Sequence, residues 1–110
     1  MMLLGAGIDI VEVQRIKDII DRRGDRFIEK ILNTQELEEL TSVTNIVAFV
    51  AKRFAVKEAA AKALGTGIGK QLSFTDMYVE HDELGKPLLK FTQECSARLN
   101  LKDKYSLLTI

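Results

Sequence analysis

The 110-residue chain has one cysteine, Cys95, so no disulfide can close within it. With one histidine, His81, it offers no Cys/His cluster of zinc-finger spacing. Such cysteine usage fits a reducing compartment, and a cytoplasmic protein is expected. Net charge is missing as well: 16 basic residues balance 16 acidic ones. No global field therefore favours nucleic acid or a membrane surface, and electrostatic recognition has to come from local clustering. No apolar run approaches the roughly 20 residues of a spanning helix. The opening Met1-Met2-Leu3-Leu4-Gly5-Ala6-Gly7 is apolar but lacks a basic n-region and is soon interrupted by Asp9, so it reads as a buried strand of a soluble protein. Internal repeats and low-complexity stretches are absent too.

Hydrophobic residues make up 46% and charged residues 29% of the chain, a globular balance at a length that suits a single domain over residues 1–110. Residues 3–13, rich in Ile, Val and Leu, predict a strand. Ile16, Ile19 and Ile20 share one face of a helix over 14–23, which Gly24 stops. A short helix follows over 26–32. Asn33 or Thr34 then caps another through Leu40, with Glu36, Glu38 and Glu39 near its start. The strongest helix runs from Ile46 to Leu64, alanine-rich and closed by Gly65. Strands are predicted at 75–81 and 88–91 around the turn signature Asp82-Glu83-Leu84-Gly85-Lys86-Pro87, with a helix at 93–100 and a last strand at 105–110. The fold class is α+β, with a long central helix packed on an antiparallel sheet.

Five features are candidates for chemistry or recognition. Glu58 and Lys62 lie four apart on one face of the long helix, which in isolation means an exposed ion pair. Their neighbours are mostly Ala, Phe and Val, however, and charges within a packed assembly need a purpose. Asp9, flanked by Ile8 and Ile10, is either a strand-end or outward-facing acid or a carboxylate that needs a partner or a cation. Should Asp9 and Glu58 converge, their hard oxygens would suit a magnesium ion completed by water and phosphates. Gly65-Thr66-Gly67-Ile68-Gly69 is GxGxG after a helix, neither a dinucleotide fingerprint nor a P-loop, and reads as helix termination plus a mobile loop. His81 reads as a surface residue. Arg15, Arg22, Arg23 and Arg26 gather around one short helix in an otherwise neutral chain, a patch suited to an acidic partner protein.

The sequence Gly7-Ile8-Asp9-Ile10, the run from Arg53 through Phe54, Lys57, Glu58 and Lys62 to Gly69, and Gly85-Lys86-Pro87 resemble the holo-acyl-carrier-protein synthases, the small bacterial-type phosphopantetheinyl transferases, in order along essentially the whole chain. The resemblance implies an enzyme of fatty acid biosynthesis that moves the phosphopantetheine group of coenzyme A to a serine of apo-acyl carrier protein. It implies a homotrimer with coenzyme A in clefts between subunits, magnesium on Asp9 and Glu58, and Lys62 against the pyrophosphate. Glu58 and Lys62 would be the catalytic residues. Arg53, Gly65, Gly85 and Pro87 match positions near the nucleotide end of coenzyme A. Arg15, Arg22, Arg26 and Phe27 match the surface that docks the carrier. The family continues past the position of Ile110 with a Ser/Thr-His pair and a final strand, so residues 1–110 are expected to lack that strand. The alternatives are a non-catalytic carrier-binding or assembly module of the same fold, and a structural domain whose Glu58–Lys62 pair is only a helix-surface bridge.

Overall fold

The computed structural model describes residues 10–101 and 107–109. In chain order the elements are helices α1 (Ile10–Arg23), α2 (Asp25–Ile31), α3 (Thr34–Glu39) and α4 (Ile46–Ala63), strands β1 (Met77–His81) and β2 (Pro87–Phe91), helix α5 (Gln93–Arg98) and strand β3 (Leu107–Thr109). Residues 10–13, expected as the end of a strand, are the first turn of α1. Their β-branched side chains favour a strand locally, but Val13, Ile16 and Ile20 fall on one helical face and pack together with α2 and α4, so tertiary burial overrides propensity. The rest of the expected strand, residues 3–9, lies outside the described residues.

Local chemistry explains most boundaries. Glu12 sits in the first turn of α1 and Arg22 and Arg23 in its last, each complementing the helix dipole. Asn33 caps α3: its side chain accepts from the Glu36 amide at 2.9 Å while Glu36 accepts from the Asn33 amide at 3.1 Å. Asn45 caps α4, accepting from the Ala48 amide at 3.0 Å. The strand expected from residue 75 starts at Met77, because residues 74–76 form a 3-10 turn tied by the Ser73 amide donating to Asp76 at 2.9 Å. Thr92 caps α5, and Asn100, at φ 54°, ends the turn that follows it.

The sheet is an antiparallel meander in the order β1-β2-β3, with Met77 opposite Phe91, Val79 opposite Leu89 and Lys90 opposite Leu107. Helix α4 contributes to both hydrophobic cores. Its first half lends Val50, Ala51 and Phe54 to an all-helical core with Ile16, Phe27, Ile28, Ile31 and Leu32. Its second half lends Ala60 and Ala61 to a second core with Leu72, Met77, Val79, Leu89, Phe91 and Cys95 beneath the sheet. A helix used on several sides cannot be amphipathic, which is why its apolar residues encircle it. Among the described residues no helix is long and apolar enough to cross a membrane.

Candidate active site

The junction between the two cores is charged. Glu36 is fully buried, and each of its carboxylate oxygens accepts two hydrogen bonds. One takes the Asn33 amide at 3.1 Å and the Lys57 ammonium at 2.6 Å; the other takes the Arg53 guanidinium at 2.8 Å and the Val79 amide at 3.1 Å. Lys57 is fully buried as well and also donates to the Ile31 carbonyl at 2.6 Å. Burial pushes its ammonium below the usual lysine range; the Glu36 charge opposes that shift, and Arg53 adds to it. Arg53 donates a second bond to Glu39 at 3.2 Å and lies 4.4 Å over the Phe49 ring. Two cations therefore meet two carboxylates, as burial of charge demands.

Arg53, matched by resemblance to the nucleotide end of coenzyme A, is thus engaged inside the chain and only 8% exposed. Glu36 and Lys57 were not singled out by sequence reasoning. The signal for Glu36 was its place in an Asn-x-x-Glu capping box, and for Lys57 its helical spacing with Val50, Phe54 and Ala61.

Glu58, the residue after Lys57, is half-buried, and Lys62 one turn later is exposed. The surface ion pair that their spacing allows does not form. Neither side chain has an ion-pair partner among the described residues. A partly desolvated, unpaired carboxylate is the kind of hard oxygen donor that a divalent cation takes alongside water and phosphate oxygens. Asp9 lies outside the described residues, and among those described no group of three or more His, Cys, Asp or Glu side chains gathers in metal-holding geometry.

Lys62 stands in the last turn of α4, and Gly65 beyond it takes φ 79°, a left-handed conformation that closes the helix. Rather than a loose loop, the residues after α4 fold back: the Gly67 amide donates to the Ala61 carbonyl at 3.1 Å and the Gly69 amide to the Leu72 carbonyl at 2.9 Å. At the far end of the sheet, Gly85 at φ 84° lies in the β1–β2 hairpin and Pro87 opens β2. Asp82 holds this turn, accepting from the Leu84 amide at 2.9 Å and the Lys86 amide at 2.8 Å. His81 is exposed opposite Pro87.

The arginine patch resolves into two parts. Arg22, Arg26 and Phe27 line one open groove of about 670 Å³ together with Arg23, Glu29 and Lys30, four cations against one carboxylate. Phe27 is a buried floor, its ring 6.4 Å from that of Phe54. Arg15 does not line the groove; it pairs with Glu12 and lies 5.4 Å over the Phe54 ring.

The chain is similar to known proteins in sequence and in fold. Residues 5–107 match the model of the family described as ACPS: 4'-phosphopantetheinyl transferase superfamily. The chain is 46% identical over 99 residues to the holo-[acyl-carrier-protein] synthase of Shewanella denitrificans, covering 90% of this chain and 79% of that one. Its fold resembles that of the Neisseria meningitidis holo-[acyl-carrier-protein] synthase, with a TM-score of 0.75 at 40% identity over 80% of this chain and 70% of that one. It also resembles the Helicobacter pylori holo-[acyl-carrier-protein] synthase solved in complex with coenzyme A, with a TM-score of 0.69 at 31% identity over 82% and 76% of the two chains.

Proposed function

This chain belongs to the 4'-phosphopantetheinyl transferase superfamily, and we propose that it transfers the phosphopantetheine group of coenzyme A to a serine of apo-acyl carrier protein in fatty acid biosynthesis. The observation that carries the site assignment is the unpaired, half-buried Glu58 on the same helix face as the exposed Lys62, at the end of a helix whose setting the Glu36 bonds define.

In the reaction the serine Oγ attacks the β-phosphorus of coenzyme A. The Oγ–P bond forms as the pyrophosphate bridge breaks, and the bridging oxygen leaves with adenosine 3',5'-bisphosphate. Phosphoryl transfer of this kind depends chiefly on positioning and charge neutralisation. Lys62 supplies a mobile positive charge for the pyrophosphate. Glu58 is the candidate base for the serine proton. Asp9 and Glu58 would hold magnesium, which neutralises charge on the pyrophosphate and favours the leaving phosphate. Gly65, Gly85 and Pro87 bring backbone close to the nucleotide end. Arg53 sets the helix that bears Glu58 as well as standing near that end.

The carrier docks through its acidic surface on the groove of Arg22, Arg26 and Phe27, with Arg15 flanking it. The enzyme works in the cytoplasm as a homotrimer with coenzyme A between subunits. Supporting that assembly, Ile68 in the glycine segment is 38% exposed and Leu84 in the hairpin 95% exposed, apolar surface that a neighbouring subunit would cover.

The test is a mass measurement. Apo-carrier incubated with this chain, coenzyme A and magnesium should gain the mass of one phosphopantetheine group. Carrier that binds but gains no mass would instead indicate the non-catalytic module.

A further inference from the structure

Buried charge is an expensive way to hold a fold together, since apolar residues of similar volume often serve as well or better. The cluster of Glu36, Lys57 and Arg53 therefore calls for a reason beyond stability. Its geometry supplies one. Arg53 and Lys57 are one helical turn apart on α4 and grip the two oxygens of a single carboxylate. Glu36 itself is held at the first turn of α3 by the Asn33 amide and is joined to β1 through the Val79 amide. The Lys57 ammonium extends the same set of bonds to the last residue of α2 through the Ile31 carbonyl. Four elements thus meet at one carboxylate–ammonium pair, and all the bonds that α4 contributes come from one side of the helix.

The hydrophobic driving force is non-directional, whereas charge-assisted hydrogen bonds fix direction. Glu58 follows Lys57 in the chain, so the angle at which α4 is held sets where the Glu58 carboxylate points, and with it the position of Lys62 four residues on. We infer that Glu36, acting through Lys57 and Arg53, is a positioning residue for the transfer reaction, locking the rotation of α4 so that Glu58 and Lys62 face the pyrophosphate. This inference rests on the transferase reading of Glu58 and Lys62.

The test separates positioning from stability. Glu36→Gln alone leaves two buried cations short of a counter-charge and should lower Tm sharply. Adding Lys57→Met removes one cation and rebalances the cluster, since Arg53 keeps Glu39. The double variant E36Q/K57M should recover most of the lost Tm, yet its kcat should stay about 10- to 100-fold below wild type, because small misplacements of reacting groups carry penalties of that order. Its KM for coenzyme A should change much less. Amide hydrogen exchange across residues 58–63 should be faster than in wild type at matched stability. Recovery of kcat together with Tm would show that the cluster is structural only and overturn the inference, as would unchanged exchange in α4. If wild type itself transfers nothing, the transferase reading alone has failed, and the exchange experiment still decides whether the cluster fixes the helix.

Discussion

Glu36 and Lys57 meet at 2.6 Å with neither side chain exposed to solvent, and this pair stands where the all-helical core gives way to the sheet core. Each partner is hydrogen-bonded, and among the described residues no buried side-chain polar atom lacks a hydrogen bond. Removing one partner should therefore be costly. Lys57→Ala leaves Glu36 with Arg53 as its one remaining counter-ion and opens a cavity, and should destabilise the fold by about 3–5 kcal/mol. A loss of that size would lower Tm by more than about 10 °C for a domain of this length. Thermal unfolding followed by circular dichroism measures it, and a Tm within two or so degrees of wild type would contradict the claim that the pair is tightly coupled.

The groove of Arg22, Arg23, Arg26 and Lys30 should act on association with the carrier rather than on chemistry. Reversing Arg22 and Arg26 to Glu turns attraction for an acidic protein into repulsion. The expected result is a fall in kcat/KM for the carrier on the order of 10- to 100-fold at low ionic strength, shrinking as salt is added. The KM for coenzyme A should stay close to wild type. Steady-state kinetics at two salt concentrations reads both, and an equal effect on the two substrates would place these arginines elsewhere in the reaction.

How much of this was legible in the sequence depended on range. The cap at Asn33 and the stops at Gly24 and Gly65 are local chemistry that the sequence shows directly, whereas the caps Asn45 and Thr92 emerge only with the structure. The α+β class and the pair of strands around the Asp82–Pro87 turn followed from spacing; the place of β3 beside β2 did not. The start of α1 did not, because Ile10, Val11 and Val13 carry strand propensity and only contacts with α2 and α4 reveal the helical face. Within the site, the unpaired state of Glu58 ran against its spacing to Lys62. An i,i+4 pattern permits a bridge but does not compel one, since a surface pair gains only a few tenths of a kcal/mol. The partnership of Glu36 with Arg53, Lys57 and Val79 spans 17, 21 and 43 residues and no local pattern encodes it. What a sequence can show is the oddity of a lysine on an apolar face, and Lys57 was that oddity.

Cys95 offers a check on the sheet core. It is fully buried under the strands, and burial pushes its thiol up from the ordinary 9.0, with the Asp76 carboxylate adding to the shift. A raised pKa means less thiolate at any given pH below it. Alkylation of the folded protein by iodoacetamide at pH 8 should be far slower than after unfolding in guanidinium. In the folded protein the rate should go on climbing above pH 9 instead of levelling off there. Mass spectrometry of quenched time points follows the reaction, and equally rapid labelling of folded and unfolded protein would mean that the sheet core is open to solvent.

The sharpest demands fall on Glu58 and Lys62. Because neither has a counter-ion among the described residues, substituting them removes no stabilising pair, and their variants should fold with Tm close to wild type. Activity should respond very differently. Glu58→Ala should abolish phosphopantetheine transfer, and Glu58→Gln, which keeps the shape and loses the charge, should do nearly the same. Lys62→Ala should lower kcat about 10²- to 10³-fold, the usual penalty for losing one group aimed at transition-state charge. Lys62→Arg should restore only part of it, because a planar guanidinium does not replace a compact ammonium at a phosphate. Chelation by EDTA should stop wild-type transfer and added magnesium should restart it, while Glu58→Ala should stay inactive however much magnesium is supplied. Carrier mass after a fixed incubation reads every arm. Near-normal transfer by a folded Glu58→Ala protein would remove Glu58 from both metal binding and proton transfer, and would shift the search to the carboxylates of the N-terminal segment around Asp9.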